Sequence, residues 1–226
     1  MSVSIQEPSN VPAQNEWNAS TRAQVLGLAA CQLLLMPLGE WLSWRESVVH
    51  HVGLLVGFAL LYLFVGFAIA LPASLIGLLL PRQRRKALWL LLCSLVAAAS
   101  FVPSINLSER IKRRALQGVM ARAEPLIAAI RKFEAEHGKP PPEIAALVPG
   151  HLAALPTPGI GTAPHFTYLL TSARTDMGDN PWMLEVRPPV AGIGFDVFIY
   201  LPNQNYPKHG WGGVLERMGT WAYVHE

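Results

Sequence analysis

The chain has 226 residues, 51% of them hydrophobic, with a mean hydropathy of +0.30, an apolar share high for a soluble protein of this size. A net charge of +3, without a basic stripe interleaved with aromatics, argues against nucleic acid as a partner. The two cysteines, Cys31 and Cys93, both sit in apolar runs, which argues against a disulfide framework or a thiolate metal site.

The apolar excess is concentrated before Pro103, whereas residues 106–226 have the charge and turn content of a water-facing domain. Residues 1–21 are polar, with prolines and little apolar material, the composition of a disordered tail. Three membrane spans are expected between residues 22 and 105, at about 23–44, 48–80 and 87–105, because each holds an uncharged apolar run long enough for a bilayer, the second so long that it reads as one tilted or Pro72-kinked helix. Trp41 and Trp44 are suited to the interface at the end of the first. Gly53, Gly57, Gly66 and Gly77 give the second small-residue notches for close helix packing. Leu28-Ala29-Ala30-Cys31 offers an alternative, a lipoprotein cleavage box that would acylate Cys31, but the chain stays apolar after it. Residues 40–51 form a polar and aromatic connection whose pair His50 and His51 lacks another histidine in the apolar segments to complete a haem site.

Orientation is undecided by charge. Residues 81–86, PRQRRK, carry four cations and favour a cytoplasmic loop. Arg110, Lys112, Arg113 and Arg114 follow the third span and argue the reverse.

Asn106 and Glu109 resemble a capping box at the start of a helix striped with Ile111, Ala115, Val119, Ala123, Leu126, Ile130 and Phe133. Those spacings of three and four bury one face. Pro125 is expected to kink or split this helix near Arg122. His137-Gly138 and Pro140 to Pro142 end it, and a short helix follows over residues 143–148. Aromatic and β-branched runs at 166–171, 182–186, 195–201 and 221–224 read as four strands. The reading is therefore α+β: one long helix covering a four-stranded antiparallel sheet.

Residues 129–158, AIRKFEAEHGKPPPEIAALVPGHLAALPTP, resemble the helix end and following loop of type II secretion pseudopilins and type IV pilin-like proteins. Phe133, His137, Gly138, Pro140, Leu147, Pro149, Leu155 and Pro156 carry the likeness, and the helix-then-sheet order extends it over residues 109–226. The resemblance implies a pilin-like fold outside the cytoplasmic membrane, which orients the C-terminal half outward. The anchoring segment begins RRKALWLLL, without the cleavage Gly-Phe and following Glu of pilin precursors, so the implied domain is held permanently at the membrane. Major pseudopilins can bind calcium in the sheet region. Asp176, Asp179 and Asn180 offer oxygen ligands of the type calcium prefers.

No serine elbow, Cys/His pairing, metal-ligand spacing or phosphate loop is present, and His137, His151, His165, His209 and His225 are scattered. Glu216, Arg217, His225 and Glu226 cluster near the C-terminus as a charge pair closing the last strand. A non-catalytic inner-membrane protein is expected, contacting the bilayer, other envelope proteins and a second copy of itself. Its contact surface is assigned to Tyr206, His209, Trp211, Trp221 and Tyr223, the alternative being that these rings fill the core. The alternative is a sensor or small transport subunit whose outer domain binds a ligand.

Overall fold

A computed structural model describes residues 13–45, 49–171, 178–189, 195–207 and 213–225. Three helices come first: α1 (Ala13–Ser43), α2 (Val49–Leu79) and α3 (Arg84–His137). A 3-10 helix (Ile144–Leu147) follows, then strands β1 (Thr167–Leu170), β2 (Trp182–Val186), β3 (Val197–Tyr200), β4 (Val214–Met218) and β5 (Trp221–His225). The chain forms two compact units, one of Met1–Met36 with Leu60–Asn106 and one of Pro37–Ala59 with Leu107–Glu226.

The first unit corrects the expectation of three spans. Among the described residues one helix, α3, is long and apolar enough to cross a membrane; Leu33–Ser43 and Val65–Leu79 are shorter apolar helices. Along α3, Leu88, Leu92, Leu95 and Val102 are 56, 44, 52 and 62% exposed, as befits a surface that needs an apolar surround. A Cβ on Gly77 would lie 3.0 Å from the Cβ of Ala87, so one expected notch does admit a close neighbour, whereas a Cβ on Gly66 would meet nothing within 4 Å.

The domain helix does not start at Asn106. α3 is a single run of 54 residues through Pro103, Asn106 and Pro125, about 80 Å long at helical rise. Asn106 is mid-helix and has no terminus to cap. Pro125 does not split the helix although an interior proline costs about 3 kcal/mol, because Ala123, Leu126, Ile127 and Ile130 on either side are all buried and hold the backbone in register. The stop falls where the sequence places it: Gly138 has φ 69° and donates its N–H to the Glu134 carbonyl at 2.8 Å, a left-handed C-terminal cap. Part of the expected N-terminal tail is also helical, since α1 begins at Ala13.

The sheet has five strands, not four, all antiparallel, in the order β1-β2-β3-β5-β4. The additional strand is β4. The two faces separate by strand periodicity. Trp182, Leu184, Phe198, Tyr200, Trp221 and Tyr223 join Leu116, Val119, Ala123, Leu126 and Ile130 of α3 in one core. Met183, Ile199, Leu201, Ala222 and Val224 form a second core on the opposite face, with Tyr206 packed against it.

Strand order is repeated along the helix. Arg113 bonds Glu216 of β4, Lys112 lies over Tyr223 of β5, Arg131 bonds Tyr200 of β3 and Glu134 accepts from Trp182 of β2. Tyr168 of β1 reaches the Pro141 carbonyl just past the helix end. The strands therefore cross α3, and β4 is the edge nearest Leu107.

Candidate functional site

Of the residues expected at a contact surface, Trp221 and Tyr223 fill the core and Tyr206 packs against the sheet. Trp221 and Tyr223 are 0 and 1% exposed. Trp221 pairs with Tyr200 across β3 and β5 and stacks on Phe198 with ring centroids 4.9 Å apart, so alternation along β5 turns both rings toward α3. The Tyr206 hydroxyl accepts the Leu201 N–H at 2.9 Å and lies 2.8 Å from the Thr220 carbonyl, and the Arg217 guanidinium stacks on the ring at 4.1 Å. Tyr206 thus fastens the long β3–β4 connection to the second sheet face. Burial, the largest influence, pushes its phenol well above its ordinary pKa. His209 and Trp211 lie outside the described residues.

Of the three expected calcium ligands, the Asn180 side chain is engaged within the protein. Asn180 is buried; its Nδ2 donates to Asn205 Oδ1 at 2.5 Å and its Oδ1 accepts the Asn203 N–H at 2.9 Å. Asp179 uses its backbone carbonyl to accept from Asn203 Nδ2. Asp176 lies outside the described residues. Among the described residues no group of three or more His, Cys, Asp or Glu is placed to hold a metal ion.

The polar side chains that do converge lie where β5 and β4 cross the start of the domain half of α3. Arg113 Nη2 is 2.6 Å from Glu216 Oε1. Glu216 Oε2 is 3.7 Å from His225 Nε2, and His225 Nδ1 is 3.7 Å from Asp196 Oδ2. The Tyr223 hydroxyl donates to the same Asp196 oxygen at 2.7 Å, and the Lys112 ammonium caps the Tyr223 ring at 4.1 Å. The C-terminal end of α1 joins this region: Trp44, 5% exposed, belongs to the helix-side core, and its indole N–H donates to Glu40 at 2.8 Å.

The electrostatics are those of a fastening. Burial pushes the Tyr223 phenol far above its ordinary value, and the Asp196 hydrogen bond with the carboxylates of Asp196, Glu40 and Glu109 pushes the same way, so it remains a donor. Burial acts to raise the Glu216 carboxyl, but the bond to Arg113, the Arg113 charge and then His225 outweigh it and lower its pKa. Both His225 contacts are too long for hydrogen bonds. Residue order alone does not mark Arg113, Lys112 and Asp196 as site residues. The available signal was Gly219-Thr220, a two-residue turn between residues 214–218 and 221–225 that marks a hairpin; with it, Glu216 falls on the same sheet face as Tyr223.

No family model matches the chain, and no characterised protein or solved structure matches it.

Proposed function

We infer that this is a non-catalytic membrane protein of a bacterial envelope, presenting a pilin-like α+β domain outside the cytoplasmic membrane for binding other envelope proteins. The observation that carries the reading is α3 itself. One unbroken helix exposes leucines along its first half and buries a stripe against the sheet along its second. Such a helix suits an anchor and a domain spine at once, because a bilayer satisfies the first half and the sheet satisfies the second. The helix-then-sheet order and the Gly138 cap support the pilin-like likeness. With Trp221 and Tyr223 in the core, the contact surface to test is the connection holding His209 and Trp211.

The test is extraction and topology. The full chain stays with membranes through an alkaline carbonate wash, and a reporter active only outside the cytoplasm is active when fused after Glu226. Release by carbonate overturns the anchor, and activity of a cytoplasmic reporter in its place overturns the outward domain. Capture of an envelope protein that is lost on Trp211→Ala supports the interaction role.

A sensor is the second reading. It is favoured by the inclusion of Pro37–Ala59, the end of α1 and the start of α2, in the same compact unit as the sheet, which gives the domain a covalent path into three helices.

A further inference from the structure

The four cations that follow the apolar half of α3 divide into two pairs. Lys112 and Arg113 are spent on the sheet, over the Tyr223 ring and on Glu216. Arg110 and Arg114, one turn apart on a common helix face, are exposed and have no acidic partner among the described residues. They lie within about 15 Å of Ile105 at helical rise.

Two more groups mark the same end of the unit. At the end of α1, which Trp44 ties into the core, Trp41 is 44% exposed and the Arg45 guanidinium lies over its ring at 4.2 Å. On β4, the strand edge nearest Leu107, Val214 is 71% exposed. Exposed tryptophan with arginine is the pairing found at membrane interfaces, with the ring at headgroup depth and the cation beside phosphate. Of the carboxylates nearby, Glu216 is held by Arg113 and Glu40 by the Trp44 indole. Among the described residues Glu40 and Glu109 therefore face Arg45, Arg110, Lys112 and Arg114, and positive charge is in excess.

We propose that this end of the domain docks on anionic phospholipid headgroups, with Arg110, Arg114 and Arg45 meeting phosphate and with Trp41 and Val214 entering the interface. The inference rests on α3 being a membrane anchor and adds to it a lipid preference and a fixed seat for the domain. Tethering by α3 places these groups at the bilayer at high effective concentration, so a weak headgroup attraction suffices to seat it.

The full chain, with Cys31→Ala, Cys93→Ala and Val214→Cys carrying an environment-sensitive fluorophore, is reconstituted in vesicles of phosphatidylcholine alone or with phosphatidylglycerol. Docking gives blue-shifted emission and quenching by shallow doxyl-labelled lipid in the anionic vesicles, reversed by high salt as exposed charges are screened. Arg110→Gln and Arg114→Gln each lower the docked-to-undocked ratio about fivefold. Both are exposed and leave the circular dichroism unchanged. Emission that is the same in both vesicle types, and unmoved by the double variant, overturns docking while the chain still floats with the vesicles. A chain that leaves the vesicles in carbonate overturns the anchor, and the docking with it.

Discussion

The two halves of α3 use similar residues to opposite ends. In the first, Leu88, Leu95 and Val102 are 56, 52 and 62% exposed; in the second, Val119, Leu126 and Ile130 are 0% exposed. The first half is apolar around its circumference and has charge only at its start, the arrangement that the proposed anchor requires. The second is amphipathic, and its stripe is covered by the aromatic face of a sheet. Hydrophobicity alone does not distinguish a buried helix from a membrane helix; what distinguishes them is whether the protein itself supplies the cover.

That contrast can be broken from either side. Leu126→Ala opens a cavity between α3 and the aromatic sheet face and should destabilise the domain by about 3–5 kcal/mol, seen as a lowered midpoint in denaturant unfolding of the detergent-solubilised chain. Leu92→Ala at an exposed position of the other half should leave that midpoint in place; an equal loss from both would erase the distinction. Leu95→Asp should cost about 3 kcal/mol of membrane insertion and shift the chain into the carbonate supernatant, with the near-ultraviolet dichroism of the tryptophans retained.

Smaller changes sharpen how the sheet is held on its spine. Tyr206→Phe removes the hydroxyl that accepts the Leu201 N–H and should cost about 1–3 kcal/mol, with faster amide exchange at Leu201 as the local readout. Arg113→Gln should cost less than about 1 kcal/mol, because both partners of the ion pair are solvent-exposed. Its signature is in the pH dependence. The Glu216 carboxyl is lowered from 4.5 in the folded protein, so its contribution is complete above that value and is lost as pH falls through the folded pKa. The variant should therefore show a shallower loss of stability on acidification below 4.5. An unchanged acid limb would mean that the pair contributes nothing.

Much of the α+β unit could be read from residue order. The stripe from Val119 to Ile130 is buried as its spacing requires, Gly138 caps the helix, and the aromatic runs at 167–170, 182–186, 197–200 and 221–225 are strands. β4 was not legible, because Leu215-Glu216-Arg217-Met218 looks like a charged surface segment until Arg113 and Tyr206 are known to cover its two charges. Trp221 and Tyr223 show the opposite limit: an exposed aromatic anchor and a buried one have the same letters, and only the facing helix decides between them. Asn180 likewise offers an oxygen to any partner by composition, and it is the neighbouring Asn203 and Asn205 that have taken its side chain.

Sequence by itself determined the local choices, namely which segments are helical, where α3 stops and which of its faces is apolar, since these follow from periodicity, proline and glycine within a few residues. Tertiary structure alone decided the continuity of α3 past Asn106 and Pro125, the insertion of β5 between β3 and β4, and the fastening of Glu216 and Tyr223 to the helix by Arg113 and Lys112. Each of those depends on partners far apart in the chain: Arg113 and Glu216 are 103 residues apart, and no local pattern encodes which of the four cations after the apolar run will turn toward the sheet and which will remain for the bilayer we propose.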